Sequence, residues 1–275
     1  MRMKRAKTKK KGVFNVDELQ AYAVAYGKPL GKRDYFGLII APAFFLSLFS
    51  FLLVYYWWVS LIVFLIGGIY GYSVIMPKTV KRNYEVRALQ ERNKFINNMT
   101  QVLTDEDKTL VKALSQAKSR CAGELRNDIN VLEATLMSSD IDSVKEAFYD
   151  LNSKYKEDIV FSQYIEQLET AVLEGKTNID TFKDIKTYHN DLVRKTKEYH
   201  MIKNGHKKDM TQMLIIIVCF ILAITFSFSF TTYYEAFARG LVGWITSLLF
   251  FTIISLFLNN FVKLYFDDSI TEVSK

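Results

Sequence analysis

From Tyr35 to Met76 the chain runs 42 residues without a charged side chain. At about 1.5 Å of rise per residue a helix of that length reaches roughly 60 Å, twice the hydrocarbon thickness of a bilayer, so one crossing cannot use it and two can. The turn between them is expected at Tyr55-Tyr56-Trp57-Trp58, because aromatic rings with one polar edge settle at the membrane-water interface. A second pair of uncharged runs, Met210 to Thr232 and Gly240 to Val262, is separated by a short loop carrying Glu235 and Arg239. A buried core helix could account for one such run, but four of them are better read as membrane-spanning helices arranged in two hairpins.

Charge sets the expected orientation. The net charge of the chain is +7, and residues 1–34, with ten basic and three acidic side chains, carry all of it. Lys78, Lys81, Arg82 and Arg87 follow the first pair of runs, Lys203, Lys207 and Lys208 precede the second, and the loops inside each pair hold one acid and one base. The excess of Lys and Arg places the N-terminus, the block from 77 to 209 and the tail 263–275 in the cytoplasm. The cluster Arg2, Lys4, Arg5, Lys7, Lys9, Lys10, Lys11 is read first as a topogenic tail, with anionic lipid or nucleic acid as alternatives. Beyond it, Phe14-Asn15-Val16-Asp17-Glu18-Leu19 carries a capping box and a staple, starting a helix that Gly27 and Pro29 end. Its face of Leu19, Tyr22, Ala23 and Tyr26 suits the membrane surface or a seat beneath the bundle. No cleavable signal peptide is recognisable.

The block between the pairs has helical periodicity throughout. A first helix is expected to start near Pro77 and to bury Leu89, Phe95, Ile96, Met99, Val102 and Leu103. Two further faces are Leu110, Ala113, Leu114, Ala117 and Leu125, Ile129, Leu132, Leu136. A fourth helix begins after Asp140 with Ile141, Val144, Phe148 and Leu151. The fifth carries Tyr164, Ile165, Leu168, Ala171 and Val172 and stops at Gly175. The sixth opens near Asn178 and can run on toward the third span. The expected class is therefore all-α: an integral membrane protein with four transmembrane helices and a six-helix antiparallel cytoplasmic bundle. A shift of 69 residues lays Phe95 on Tyr164 and Met99 on Leu168, a faint internal echo.

The order of two spans, six helices and two spans resembles the single-domain type II secretion F family, the membrane platform proteins of Tad-type pilus systems. The resemblance runs from about residue 35 onward through FINNMTQVL, LVKAL, LRNDINVL, VKEAFYDL and LETAVLEGKTNIDTFKDI, with Gly175 at the turn from fifth to sixth helix. The chain departs from the family's glycine-bearing turns at Thr104-Asp105-Glu106-Asp107 and at Ser138-Ser139-Asp140-Ile141. The resemblance implies a bacterial cytoplasmic membrane protein that works with a hexameric secretion ATPase, pilin or pseudopilin subunits and a second platform protein. An unrelated membrane-anchored helical scaffold or regulatory protein is the competing reading.

Little in the sequence speaks for catalysis, a metal or a cofactor. His189, His200 and His206 have no acid or cysteine cluster beside them, Cys121 and Cys219 fall in different compartments, and no phosphate-cradling glycine loop is present. The spans hold no ionisable side chain, which weighs against an ion-coupled transporter. Candidate functional positions are instead an ATPase-docking end, Asp105, Glu106, Asp107, Glu174 and Gly175, and small residues for close helix packing or oligomerisation, Gly67, Gly68, Gly71, Gly240 and Gly243.

Overall fold

A computed structural model describes residues 16–105, 109–137, 140–175 and 177–268. The basic cluster before Val16, the Phe14-Asn15 cap, Glu106, Asp107, Lys176 and Ser138-Ser139 lie outside the described residues. Among those described the chain is helical and contains no strand. In chain order the helices are α1 Val16–Ala25, α2 Lys32–Val54, α3 Trp57–Leu103, α4 Leu110–Ser119, α5 Gly123–Leu136, α6 Ile141–Tyr155, α7 Ile159–Glu174, α8 Ile179–Ser227 and α9 Leu241–Tyr265. A short helical turn, Phe230–Thr232, and a widened turn, Tyr233–Ala238, lead into α9.

Four helices, α2, α3, α8 and α9, are long and apolar enough to cross a membrane. Their outward faces are apolar, with Leu61, Leu65, Ile66, Ile69, Ile216 and Phe220 among the exposed side chains, the inverse of a water-soluble surface. Inward, Phe49, Leu53, Val54, Ile221 and Ile254 pack together.

Two of the four are much longer than a crossing. Helix α3 has 47 residues and α8 has 49, so no helix end falls at 76/77 or at 209/210. The expected helix start near Pro77 is met in part: a regular α segment, Met76–Leu103, begins there with Pro77 in its first turn, but it continues α3 and does not enter from a loop. A proline inside a helix lacks the N–H that residue 73 would receive and presses its ring on that carbonyl. The chain absorbs this with a widened π-turn, Gly71–Ile75, just before it, and the Ser73 and Thr79 hydroxyls donate to the carbonyls of Ile69 and Ile75 at 2.7 Å each. Pro42 in α2 follows a second π-turn, Phe36–Ile40, in the same way. The two widened turns meet, and a Cβ on Gly71 would stand 3.0 Å from the Leu38 carbonyl oxygen.

The rest of the chain closes around one core. Phe95, Ile96, Met99, Leu114, Leu125, Ile129, Phe148, Phe161, Tyr164, Ile165 and Leu168 are fully buried, and each contributes roughly 1.5–3 kcal/mol on leaving water. Tyr164 sits at its centre, edge-on to Phe95 and Phe182, with its hydroxyl 2.9 Å from Thr100 Oγ1. Helix starts are capped by Thr109, Asp140, Asp158 and Asn178, whose side chains accept from the N–H three residues on. Gly175 ends α7 at φ 67°, where a side chain would be strained.

Candidate functional site

A cleft of about 520 Å³ lined by polar and aromatic side chains is bounded by α3, α6, α8 and the start of α5. Helix α1 closes one side of it. Tyr22 and Tyr26 pack on Tyr84 with ring centres 5.0 and 5.4 Å apart, and Arg87 donates to the Tyr26 carbonyl at 3.4 Å. Gly123, at φ 64°, allows this approach: a Cβ there would fall 2.1 Å from the Ala25 carbonyl oxygen. Helix α1 therefore docks on the helical domain, one of the two seats its sequence allowed.

Within the cleft, Tyr84 donates to Glu124 Oε2 at 2.9 Å, Lys154 bridges Glu124 and Asp128 at 2.7 Å each, and Tyr155 donates to Asp128 at 2.6 Å. Burial alone would raise the Glu124 carboxyl, but Lys154 and Tyr84 hold it below the usual range. Burial, helped by these carboxylates, pushes the Tyr84 and Tyr155 phenols up, which keeps both as neutral donors.

A second cluster lies deeper. Arg92 Nε donates to Asp158 Oδ2 at 2.6 Å, and the other carboxylate oxygen caps α7 through the Phe161 N–H at 3.1 Å. The fully buried His189 donates from Nδ1 to Asn93 Oδ1 at 2.8 Å, while its Nε2 lies 3.7 Å from Asp158 and carries no hydrogen bond. Burial opposes charge on Asp158, yet His189, Arg92 and the capping N–H hold its carboxyl down at about 2. Next to it Asn97 and Asn190 exchange two amide bonds, at 2.8 and 3.0 Å.

The third cluster is where α3 and α8 approach the apolar runs, and the end of α9 ties them together. Asp268 pairs with Arg82 at 3.2 Å and with Lys203 at 3.0 Å, all three side chains being 11–17% exposed. Arg82 also donates to the Tyr265 carbonyl at 3.3 Å and to His200 Nδ1 at 2.6 Å, and its guanidinium lies 4.7 Å from the Tyr265 ring centre. Tyr199 donates to the Asp267 carbonyl at 3.1 Å and Tyr265 to Asn204 Oδ1 at 2.9 Å. A buried ion pair of this kind adds little net stability over apolar packing, whereas removing one partner is costly.

The residues singled out in the sequence fall elsewhere. Asp105 stands in the turn after α3, Glu174 at the exposed end of α7 and Gly175 just beyond it; Glu106 and Asp107 are not described. That end lies a further 21 residues along α3 from Arg82, about 30 Å away. Gly67 and Gly71 press against Ala43, Leu38 and Ile39 of α2, and Gly240 and Gly243 against Ala236 and Phe237, so these four serve contacts within the chain; Gly68 faces open space. The clasp of Arg82, Lys203 and Asp268 and the Arg92, Asp158, His189 cluster were missed. The one signal for the clasp was the acidic pair Asp267-Asp268 shortly after an apolar run, among segments that are otherwise basic.

Chemically the arrangement positions helices. Among the described residues no three His, Cys, Asp or Glu side chains converge as a metal site. Cys121 is buried and its thiol is pushed up to about 12 by burial and by Glu91, so it is a poor nucleophile.

A curated protein of Bacillus anthracis, the uncharacterized protein pXO2-23, is 51% identical over 268 residues, covering 98% of this chain and 97% of that protein. No family model matches the chain, and no solved structure matches it.

Proposed function

We propose that this chain, which belongs to the family of the Bacillus anthracis protein pXO2-23, is a non-enzymatic membrane platform of the type II secretion F kind. In this reading it sits in a bacterial cytoplasmic membrane as two hairpins, with both termini and a six-helix antiparallel bundle in the cytoplasm. It couples a secretion ATPase to the movement of pilin or pseudopilin subunits out of the bilayer, beside a second platform protein. The observation that carries the reading is the continuity of α3 and α8, which run unbroken from the apolar segments through the helical domain. A push or twist applied at the far end of the domain would reach the bilayer through two rigid rods clasped by Asp268. The order of helices that resembles the F family supports the identity of the partners.

The test is co-purification of the full chain from its own host's membranes, scored for a hexameric ATPase and for pilin-like subunits. Recovery of both, with the ATPase lost in a D105K/E106K/D107K variant that keeps its circular-dichroism melt, supports the platform and its docking end. Recovery of neither overturns it in favour of the unrelated scaffold. Reporter fusions at Tyr233 and Lys154 check the topology, the first expected outside and the second inside.

A further inference from the structure

Four cations from two helices converge on one turn of a third. Arg82 and Lys203 hold Asp268, as described above, while Lys78 Nζ lies 5.9 Å from the Phe266 ring centre and Lys207 Nζ 6.0 Å from that of Tyr265. Lys78 and Lys207 are exposed, and among the described residues neither forms an ion pair with a carboxylate. The turn itself carries two acids, Asp267 and Asp268, of which Asp268 pairs with Arg82 and Lys203. Depth is fixed by the sequence: Lys78 comes two residues after the uncharged run that ends at Met76, and Lys207 three residues before the run that begins at Met210. Both ammonium groups therefore stand at headgroup level, beside the rings of Tyr265 and Phe266, which suit the interface.

We propose that the Tyr265–Asp268 turn with Lys78 and Lys207 forms a binding site for the phosphate of an anionic phospholipid. Phosphate offers charged oxygens to ammonium donors on two sides, and the Asp268 carboxylate already shows that an anion is held between these helices. The membrane source is favoured over a soluble phosphate because the cations lie where the apolar surface ends, with Leu264 exposed next to the turn. A lipid seated there would bridge α3 and α8 beside the clasp. The inference needs only the membrane crossings and stands apart from the pilus reading.

The experiment uses the full chain in mild detergent, with native mass spectrometry counting retained lipid as phosphatidylglycerol or phosphatidylcholine is added. Phosphatidylglycerol is expected to be retained preferentially, and K78Q/K207Q to weaken that retention roughly 30-fold, the effect of two near-surface cations. K195Q/K197Q removes the same charge from α8 farther from the apolar run and is expected to keep the preference; the basic N-terminal segment is common to all three proteins. Equal retention by wild type and K78Q/K207Q overturns the proposal, as does equal loss in both double variants, which would mark unspecific attraction. Displacement of phosphatidylglycerol by inorganic phosphate at comparable concentration would also overturn the lipid assignment.

Discussion

Replacing Asp158 by Asn leaves the shape and the capping acceptor of the residue in place, since Asn caps helices as well as Asp does, and removes the charge facing His189 and Arg92. A carboxyl lowered from 3.8 to about 2 corresponds to about 2.5 kcal/mol of stabilisation at neutral pH. Loss of the carboxylate also strands the Arg92 guanidinium, whose side chain is 16% exposed, and this brings the expected cost to about 3 kcal/mol. For a chain of this size that is a melting-temperature drop of roughly 6–12 °C. The pH dependence follows from the direction of the shift. The folded carboxyl titrates near 2 and the unfolded one near 3.8, so the contribution is complete above pH about 4 and is lost as pH falls toward 2. D158N should therefore melt lower at neutral pH and lose part of the wild type's acid sensitivity. Circular-dichroism melts of the detergent-solubilised chain read both effects, and a double-mutant cycle with R92Q isolates the pair. A D158N protein that melts with wild type, or a cycle with no coupling, would refute the reasoning.

Other expected outcomes use the same melts. Gly71→Val forces a side chain against the Leu38 carbonyl and the Ile39 backbone and should cost about 1–3 kcal/mol, whereas Gly68→Ala, which meets open space inside a helix, should carry no such cost and stabilise slightly. Gly175→Ala places a Cβ at φ 67° and should destabilise by about 1–2 kcal/mol; Gly205→Ala, inside α8 with free space around it, should stabilise by about 0.5–1 kcal/mol. Burial and the neighbouring Arg82 and Lys203 hold His200 below its usual 6.5 against the pull of Asp268, so the clasp should be fully formed above pH about 6.5 and weaken as pH falls below it. His200→Gln should remove that dependence, seen as pH-independent protection of the 199–204 amides in hydrogen exchange.

What could be read from the sequence was what repeats along one helix. The apolar runs exposed the four helices long and apolar enough to cross a membrane, the 3.6-residue period exposed Phe95, Met99, Leu125, Phe148 and Leu168 as core, and Asp140, Asn178 and Gly175 marked helix ends through local backbone chemistry. The clasp and the inner cluster were not legible, because each joins residues far apart in sequence: Arg82 to His200 and Asp268, and Arg92 to Asp158 and His189. A charged residue on a helix face looks solvated until its partner is placed opposite. Pro77 marked a real change of helix type and concealed the continuity behind it for a different reason. Its propensity to start a helix is real when a chain enters from a loop, but here it follows a span that was already helical, and one widened turn removes the conflict with residue 73 more cheaply than ending the helix would. Pro42 meets the same solution, and the two widened turns pack on each other through Gly71. The prolines therefore mark the place where the widened turns of α2 and α3 pack on each other, just before α3 leaves the apolar segment and continues unbroken into the helical domain.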